Sequence, residues 1–217
     1  MVNSYQVVLE LRYNQILNFT DKTLTGEISN YLGTLGYQVN LFNGVIDAKN
    51  PNTRHHFNIG SNRCGVDFSI KDLEVNTHKG IIEQLTVISN LLKFNFLSRI
   101  GLRVTTTNSY PILIDATKKI TSILDIKNGM LENIKSNCEV CTLTFGIPKE
   151  GYSINLSLMP NQINVSAMGI DQQINTLNLD IDVFEMNLKC TASTLEKKYR
   201  TFLNDIKEYN RTLIEIL

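Results

Sequence analysis

The chain has 217 residues, and 21 Lys and Arg balance 21 Asp and Glu, so the formal net charge is zero. This length supports one large domain or two small ones burying roughly 70% of the surface of the unfolded chain, so neither disulfides nor a metal is needed to hold it together. The 42% apolar content excludes wholesale disorder, and the charge balance excludes coating nucleic acid or an anionic membrane by charge alone.

Residues Met1 to Gln6 lack the basic and apolar regions of a signal peptide. No stretch approaches the roughly 18 apolar residues of a membrane span. The expectation is a soluble cytoplasmic protein without disulfides.

Tyr5–Tyr13 alternates, with Val7, Leu9 and Leu11 on one side, and predicts a half-buried strand. Thr20-Asp21 opens a helix to about Leu35, with Gly36 suited to its C-terminus. Short strands follow at Gln38–Phe42 and Val45–Lys49, joined by the hairpin signal Asn43-Gly44. Further strands are expected at Arg54–Ile59 and Cys64–Ile70. A helix capped by Asn76 or Thr77 then runs to about Phe96, with Ile81, Ile82, Leu85, Ile88, Leu91 and Leu92 as its apolar stripe.

The order then repeats. Arg99–Thr106 alternates, with Ile100, Leu102 and Val104 inward. A helical region spans about Pro111 to Ser136, broken at Asn128-Gly129. Four strands are expected at Cys141–Ile147, Tyr152–Leu158, Ile163–Met168 and Leu177–Phe184, with a turn at Pro160-Asn161. The last helix starts at Thr191–Ser193 and carries Leu195, Tyr199, Phe202, Leu203, Ile206 and Leu213 on its apolar side. Lys93 to Ser98 joins the halves without a flexible linker, and its Phe94, Phe96 and Leu97 should pack. The chain therefore reads as an α+β protein of two halves, residues 1–95 and 96–217, each β-α-β4-α, sharing one core, with helices on one face of antiparallel sheet.

This doubled order resembles the architecture of the TATA-binding protein, in which tandem repeats form one curved sheet; the resemblance is of element order and implies no function. A second resemblance rests on Arg99-Ile100-Gly101-Leu102-Arg103 in mid-chain and on Leu179-Asp180-Ile181-Asp182-Val183-Phe184 before the long last helix. These motifs are similar to those of a sporadically distributed family of uncharacterised bacterial proteins. That family carries an aromatic where this chain has Val104, and it brings no activity with it.

Motifs of established chemistry are missing: there is no G-x-x-x-x-G-K-[ST], G-x-G-x-x-G, G-x-S-x-G or H-E-x-x-H. Cys138 and Cys141 form C-x-x-C, but it lies at a helix end and has no second pair for a zinc site. Cys64 and Cys190 stand alone, so reduced structural cysteines are expected. His55 and His56 are adjacent and should point to opposite faces of a strand. His78 is expected in the first turn of a helix, in water. Asp180 and Asp182 project from one face of a strand, a separation that would suit a cation or an acid/base pair if a third ligand existed. Arg12, Arg99 and Arg103 are expected on first-strand faces, paired with Glu10 or these carboxylates.

The most informative feature is a polar sheet face in the second half. Thr142 and Thr144 belong to it, with Ser153, Asn155, Ser157, Asn164, Ser166, Asn178, Asp180 and Asp182 as the candidate interaction residues. Rows of Asn, Ser and Thr can hydrogen-bond a polypeptide, a sugar or base edges. The expected function is a non-enzymatic interaction component of a bacterial cytoplasmic assembly, an accessory of a defence or mobile-element system being one setting. A protein partner or a homo-oligomer is expected, with no catalytic residues, cofactor, metal, membrane or nucleic acid. The alternatives are a nucleic-acid-binding module using the open sheet face, and an enzyme or metal-binding protein using Asp180/Asp182 or Cys138/Cys141.

Overall fold

The computed structural model describes residues 4–14, 19, 21–74, 78–123, 141–167, 170–189 and 192–216. Among these, the first half forms β1 (Tyr5–Tyr13), α1 (Lys22–Thr34), β2 (Gln38–Phe42), β3 (Val45–Lys49), β4 (His56–Ile59), β5 (Arg63–Ile70) and α2 (Lys79–Leu92). The second forms β6 (Phe96–Tyr110), α3 (Leu113–Ile123), β7 (Leu143–Lys149), β8 (Tyr152–Ala167), β9 (Ile170–Lys189) and α4 (Ala192–Ile216). All nine strands belong to one sheet in the order β2-β3-β4-β5-β1-β6-β9-β8-β7. Every neighbouring pair is antiparallel. The first strands of the two halves, β1 and β6, lie side by side.

Strand alternation sorts the side chains. Val7, Leu9 and Leu11 of β1 share a register row system with Val66, Phe68 and Cys64 of β5 and with Val104, Leu102 and Ile100 of β6, and all are buried. The same rows continue through Leu179, Ile181 and Val183 of β9 to Ile154, Leu156 and Leu158 of β8. The helices add Ile28 and Leu32, Leu85 and Ile88, Ala116 and Ile120, and Tyr199, Phe202, Leu203 and Ile206 to the same cluster. One face of the sheet thus carries the helices and the core, and none of the described helices covers the other, open face.

Local signals account for the element ends. Asp21 caps α1 by accepting from the Thr23 amide at 2.8 Å. At the other end Gly36, at φ 83, allows the paired bonds Gly36 N to Gly33 O and Tyr37 N to Leu32 O that close a Schellman motif. Lys93, at φ 52, ends α2 at Leu92, the last residue of its apolar stripe and short of the expected Phe96. In the joint that follows, Phe94 stacks on Tyr13 with ring centroids 5.0 Å apart and Leu97 is buried, while Phe96 is partly exposed.

Two expectations need correction. Pro160-Asn161 makes no turn: β8 runs unbroken from Tyr152 to Ala167, paired residue by residue with β9. Pro160 is tolerated because β7 ends opposite Leu158, leaving β8 an edge strand beyond that point among the described residues. The second half therefore has three strands after its first helix among the described residues, where four were expected. Beyond Asn161 the β8–β9 pair continues as a two-stranded ribbon, since β6 reaches only to Asn175 of β9. Residues 124–140, with the expected Asn128-Gly129 break and Cys138, lie outside the described residues, as do Asn76, Thr77, Cys190 and Thr191.

The second correction concerns His78. It is not solvated; it is fully buried just before α2. Its Nδ1 shares a hydrogen bond with Tyr199 Oη of α4, Phe68 packs edge-on against its ring, and its Nε2 has no partner among the described residues. Burial lowers its pKa, with Asp72 pulling the other way and Lys207 and His55 adding to the fall. His55 is lowered by burial too. The unfolded chain therefore binds protons that the folded chain refuses. Stability should be complete above about pH 6.5, the ordinary histidine value, and fall as pH drops below it. We expect the melting temperature to decline between about pH 6.5 and pH 5, ahead of carboxylate titration. In His78→Phe that decline should be visibly shallower; equal slopes in scanning calorimetry would show that His78 is not its source.

Candidate functional site: the open face of the sheet

The candidate site lies on the face that no described helix covers. Its centre is built by β1, β6 and β9. Glu10 of β1 stands opposite Gly101 of β6, and Gly101 opposite Phe184 of β9. Arg99 and Arg103 flank Gly101 on the same face of β6. Arg99 folds over Gly101: a Cβ built there would lie 2.5 Å from its Nη1 and 2.8 Å from its Cζ. From that position Arg99 Nη1 donates to Glu10 Oε1 at 3.0 Å, and Nη2 donates to both Asp182 oxygens at 2.9 and 2.8 Å. Its Cζ sits 5.0 Å from the centre of the Phe184 ring. Arg12 Nε also donates to Glu10 Oε1, at 2.7 Å.

Arg103 serves Asp180 in the same way. Its Nε donates to Oδ1 at 2.7 Å and to Oδ2 at 3.0 Å, and its Nη2 makes a further bond to Oδ2. These bonds raise the Arg103 pKa. Asp182 moves the other way from a simple ion pair: burial pushes its carboxyl pKa up, against the pull of Arg99. Both aspartates thus accept from arginines.

A local irregularity fixes Arg99 on this face. The β1–β6 register shifts between Arg12 and Tyr13, so Arg12 pairs with Arg99 but Tyr13 pairs with Leu97. The extra residue, Ser98, rephases the strand and lets both Leu97 and Ile100 enter the core while Arg99 stays out.

In the first half the face has a shallow hollow of about 250 Å³ floored by Gly65 and walled by Glu10, His56, Asn58, Arg63 and Asp67. The buried Oδ1 of Asn58 has no hydrogen-bond partner among the described residues. His56 Nε2 bonds Asp47 and holds its carboxyl below the usual range. His55 lies on the core side against Phe68 and Tyr37, so the two histidines do face apart. Arg63, Arg12 and Arg99 occupy one cross-strand row.

The expected interaction residues are divided by the fold. Ser153, Asn155 and Ser157 lie opposite Phe184, Asp182 and Asp180 on the open face, and Thr144 Oγ1 lies 3.2 Å from Ser157 Oγ. Asn178 joins them, paired with Thr107 and Met159. Because β8 continues without a turn, position 164 shares the phase of Ile154 and Leu156. Asn164 therefore leaves the candidate face, and the Ser166 side chain lies outside the described residues. Thr142 precedes β7, and Cys141 is partly buried at the margin of the core.

Sequence reasoning reached the arginine–carboxylate pairing but missed Gly101 and Gly65. The signal for the first was present: in Arg99-Ile100-Gly101-Leu102-Arg103, strand alternation puts two arginines on one face with a bare position between them. Compared with known proteins, the chain matches no family model and no curated protein.

Gly101→Val should displace the Arg99 guanidinium and strip Asp182 of its partner. Leaving that partly buried carboxylate unpaired costs about 2 kcal/mol, read as a fall of about 4–8 °C in melting temperature for a chain of this size. Gly146→Val, on the same face with only Asn155 Oδ1 nearby at 3.9 Å, should change little. Equal losses in the two variants would remove the special role of Gly101.

Proposed function

We propose that the chain is a non-enzymatic interaction component whose open sheet face receives a protein partner within a larger assembly. The observation that carries this reading is the prior neutralisation of that face. Its strand residues include Arg12, Lys49, Arg63, Arg99 and Arg103 against Glu10, Asp47, Asp67, Asp180 and Asp182, five of each sign. Most of these charges are already bonded to one another. A partner that covers them does not have to desolvate lone ions, which is the main penalty at a charged interface. The flanking Ser153, Asn155, Ser157, Thr144 and Asn178 offer hydrogen bonds without net charge.

Nucleic acid is the weaker reading, because affinity for phosphates needs a surplus of cations. An acid/base or metal role for Asp180 and Asp182 is weaker still, since both carboxylates accept from arginines. The strand order favours a tandem fold of the TATA-binding-protein kind: β1 and β6 are central, the last strand of each half (β5, β9) lies beside them, and the strand after each first helix (β2, β7) forms the edge. The second half departs from that pattern by one strand.

The test compares tagged wild type with the double variant Asn155→Arg, Thr144→Arg as baits in cells of the source organism. Both positions are exposed, so the variant should keep its melting temperature. One or more proteins captured stoichiometrically by wild type should be lost from the variant. Identical capture by both baits would exclude this face, and tight salt-sensitive binding to duplex DNA would favour the nucleic-acid reading.

A further inference from the structure

The two edges of the sheet are built differently. At one edge, β7 carries Pro148 and Lys149. A proline persists in a ladder only where its nitrogen faces away from the neighbouring strand, so Pro148 removes a donor from the outer side, and Lys149 adds charge. Both are devices that block strand addition. At the other edge, β2 (Gln38-Val39-Asn40-Leu41-Phe42) has no charge, no proline and no register shift along its pairing with β3. It also exposes two large apolar side chains, Leu41 at 59% and Phe42 at 72%.

The backbone of β2 selects a register for an added strand. The two-residue loop Asn43-Gly44, with φ of 49 and 72, is a hairpin turn that closes on Phe42 and Val45 as a hydrogen-bonded pair. The bonded pairs of this ladder are then Phe42/Val45, Asn40/Asp47 and Gln38/Lys49. Val39 and Leu41 therefore point their amides and carbonyls outward. A second β2 placed antiparallel with Asn40 on the two-fold axis sets each Val39 opposite the other copy's Leu41. All four outward-facing residues then exchange bonds with each other, and the two Asn40 residues form a non-bonded pair. The same register places Leu41 beside the Val39 side chain of the other copy on the helix side, where it leaves water, and sets Phe42 against Gln38 on the open face.

We propose that the protein forms a two-fold dimer by antiparallel pairing of β2 with β2 of a second copy. The contact uses the same patch on both chains and so closes on itself; the blocked β7 edge prevents head-to-tail growth into filaments. The two open faces lie on the same side of the joined sheet and stay uncovered, so the dimer stands whether or not a partner occupies them. The contact is short, so its dissociation constant belongs in the micromolar range.

The experiment is sedimentation equilibrium of the whole chain over a wide concentration range. Wild type should move from 24.6 kDa to twice that mass and no further. Leu41→Pro removes an outward donor at an edge position and should remain monomeric with an unchanged melting temperature; Leu41→Lys gives the same readout should the proline disturb the hairpin. Asn40→Cys should yield, on mild oxidation, a disulfide-linked dimer joined through position 40 in each chain, identified by peptide mass spectrometry. Cys at a non-bonded antiparallel pair has suitable Cα separation, whereas Gln38→Cys should not cross-link. A wild type that stays monomeric at the highest concentration, a dimer untouched by both Leu41 changes, or masses beyond the dimer would each overturn the proposal.

Discussion

The antiparallel pairing of β1 with β6 is the constraint on which the rest of the molecule depends. It joins the halves by ordinary ladder bonds and aligns Val7, Leu9 and Leu11 with Val104, Leu102 and Ile100. Once that register holds, all other strands inherit the same division between a covered and an open face. A slip of one residue would exchange the two faces, sending Arg99 and Arg103 under the helices. The shift at Ser98 shows how closely phase is managed, because it admits Leu97 to the core without turning Arg99 inward.

The open face follows from the same register. Two arginines on β6 meet two aspartates on β9 because Arg103 is paired with Asp182, Thr105 with Asp180 and Arg99 with Met186. The Arg103 guanidinium then reaches one same-face step along the strand to Asp180, and that of Arg99 reaches two, across Gly101 and past Phe184, to Asp182. Glycine at position 101 makes the Arg99 step possible by leaving the surface bare beneath it. The result is a charged centre with little free charge. Such a centre fixes geometry more than it adds stability, since partly exposed ion pairs contribute modestly.

Much of this was legible in the sequence where local physics decides the outcome. The limits of β1, β2 and β3, the Asn43-Gly44 hairpin and the apolar stripes of α2 and α4 are set by alternation, turn chemistry and helical spacing. What escaped depends on neighbours. Pro160 reads as a turn until it is known that the β7–β8 pairing stops at Leu158, and from that misreading came the placement of Asn164 on the open face. His78 looks solvated near a helix start because nothing local reveals Tyr199 waiting in α4. The pairing of arginines with carboxylates was readable as a list of partners; the role of Gly101 required the fold.

The link between His78 and Tyr199 also bears on the order in which the chain can mature. Tyr199 bonds a residue 121 positions earlier, and Asn210 Nδ2 donates to the Tyr5 hydroxyl across 205 positions. Lys207 reaches Glu74 in the same region. The first half thus acquires its last polar partners from the final helix. During synthesis β1 to α2 emerge early but remain without these bonds until α4 has been made. The polar bonding of the first half is therefore completed only by Tyr199, Lys207 and Asn210 of α4.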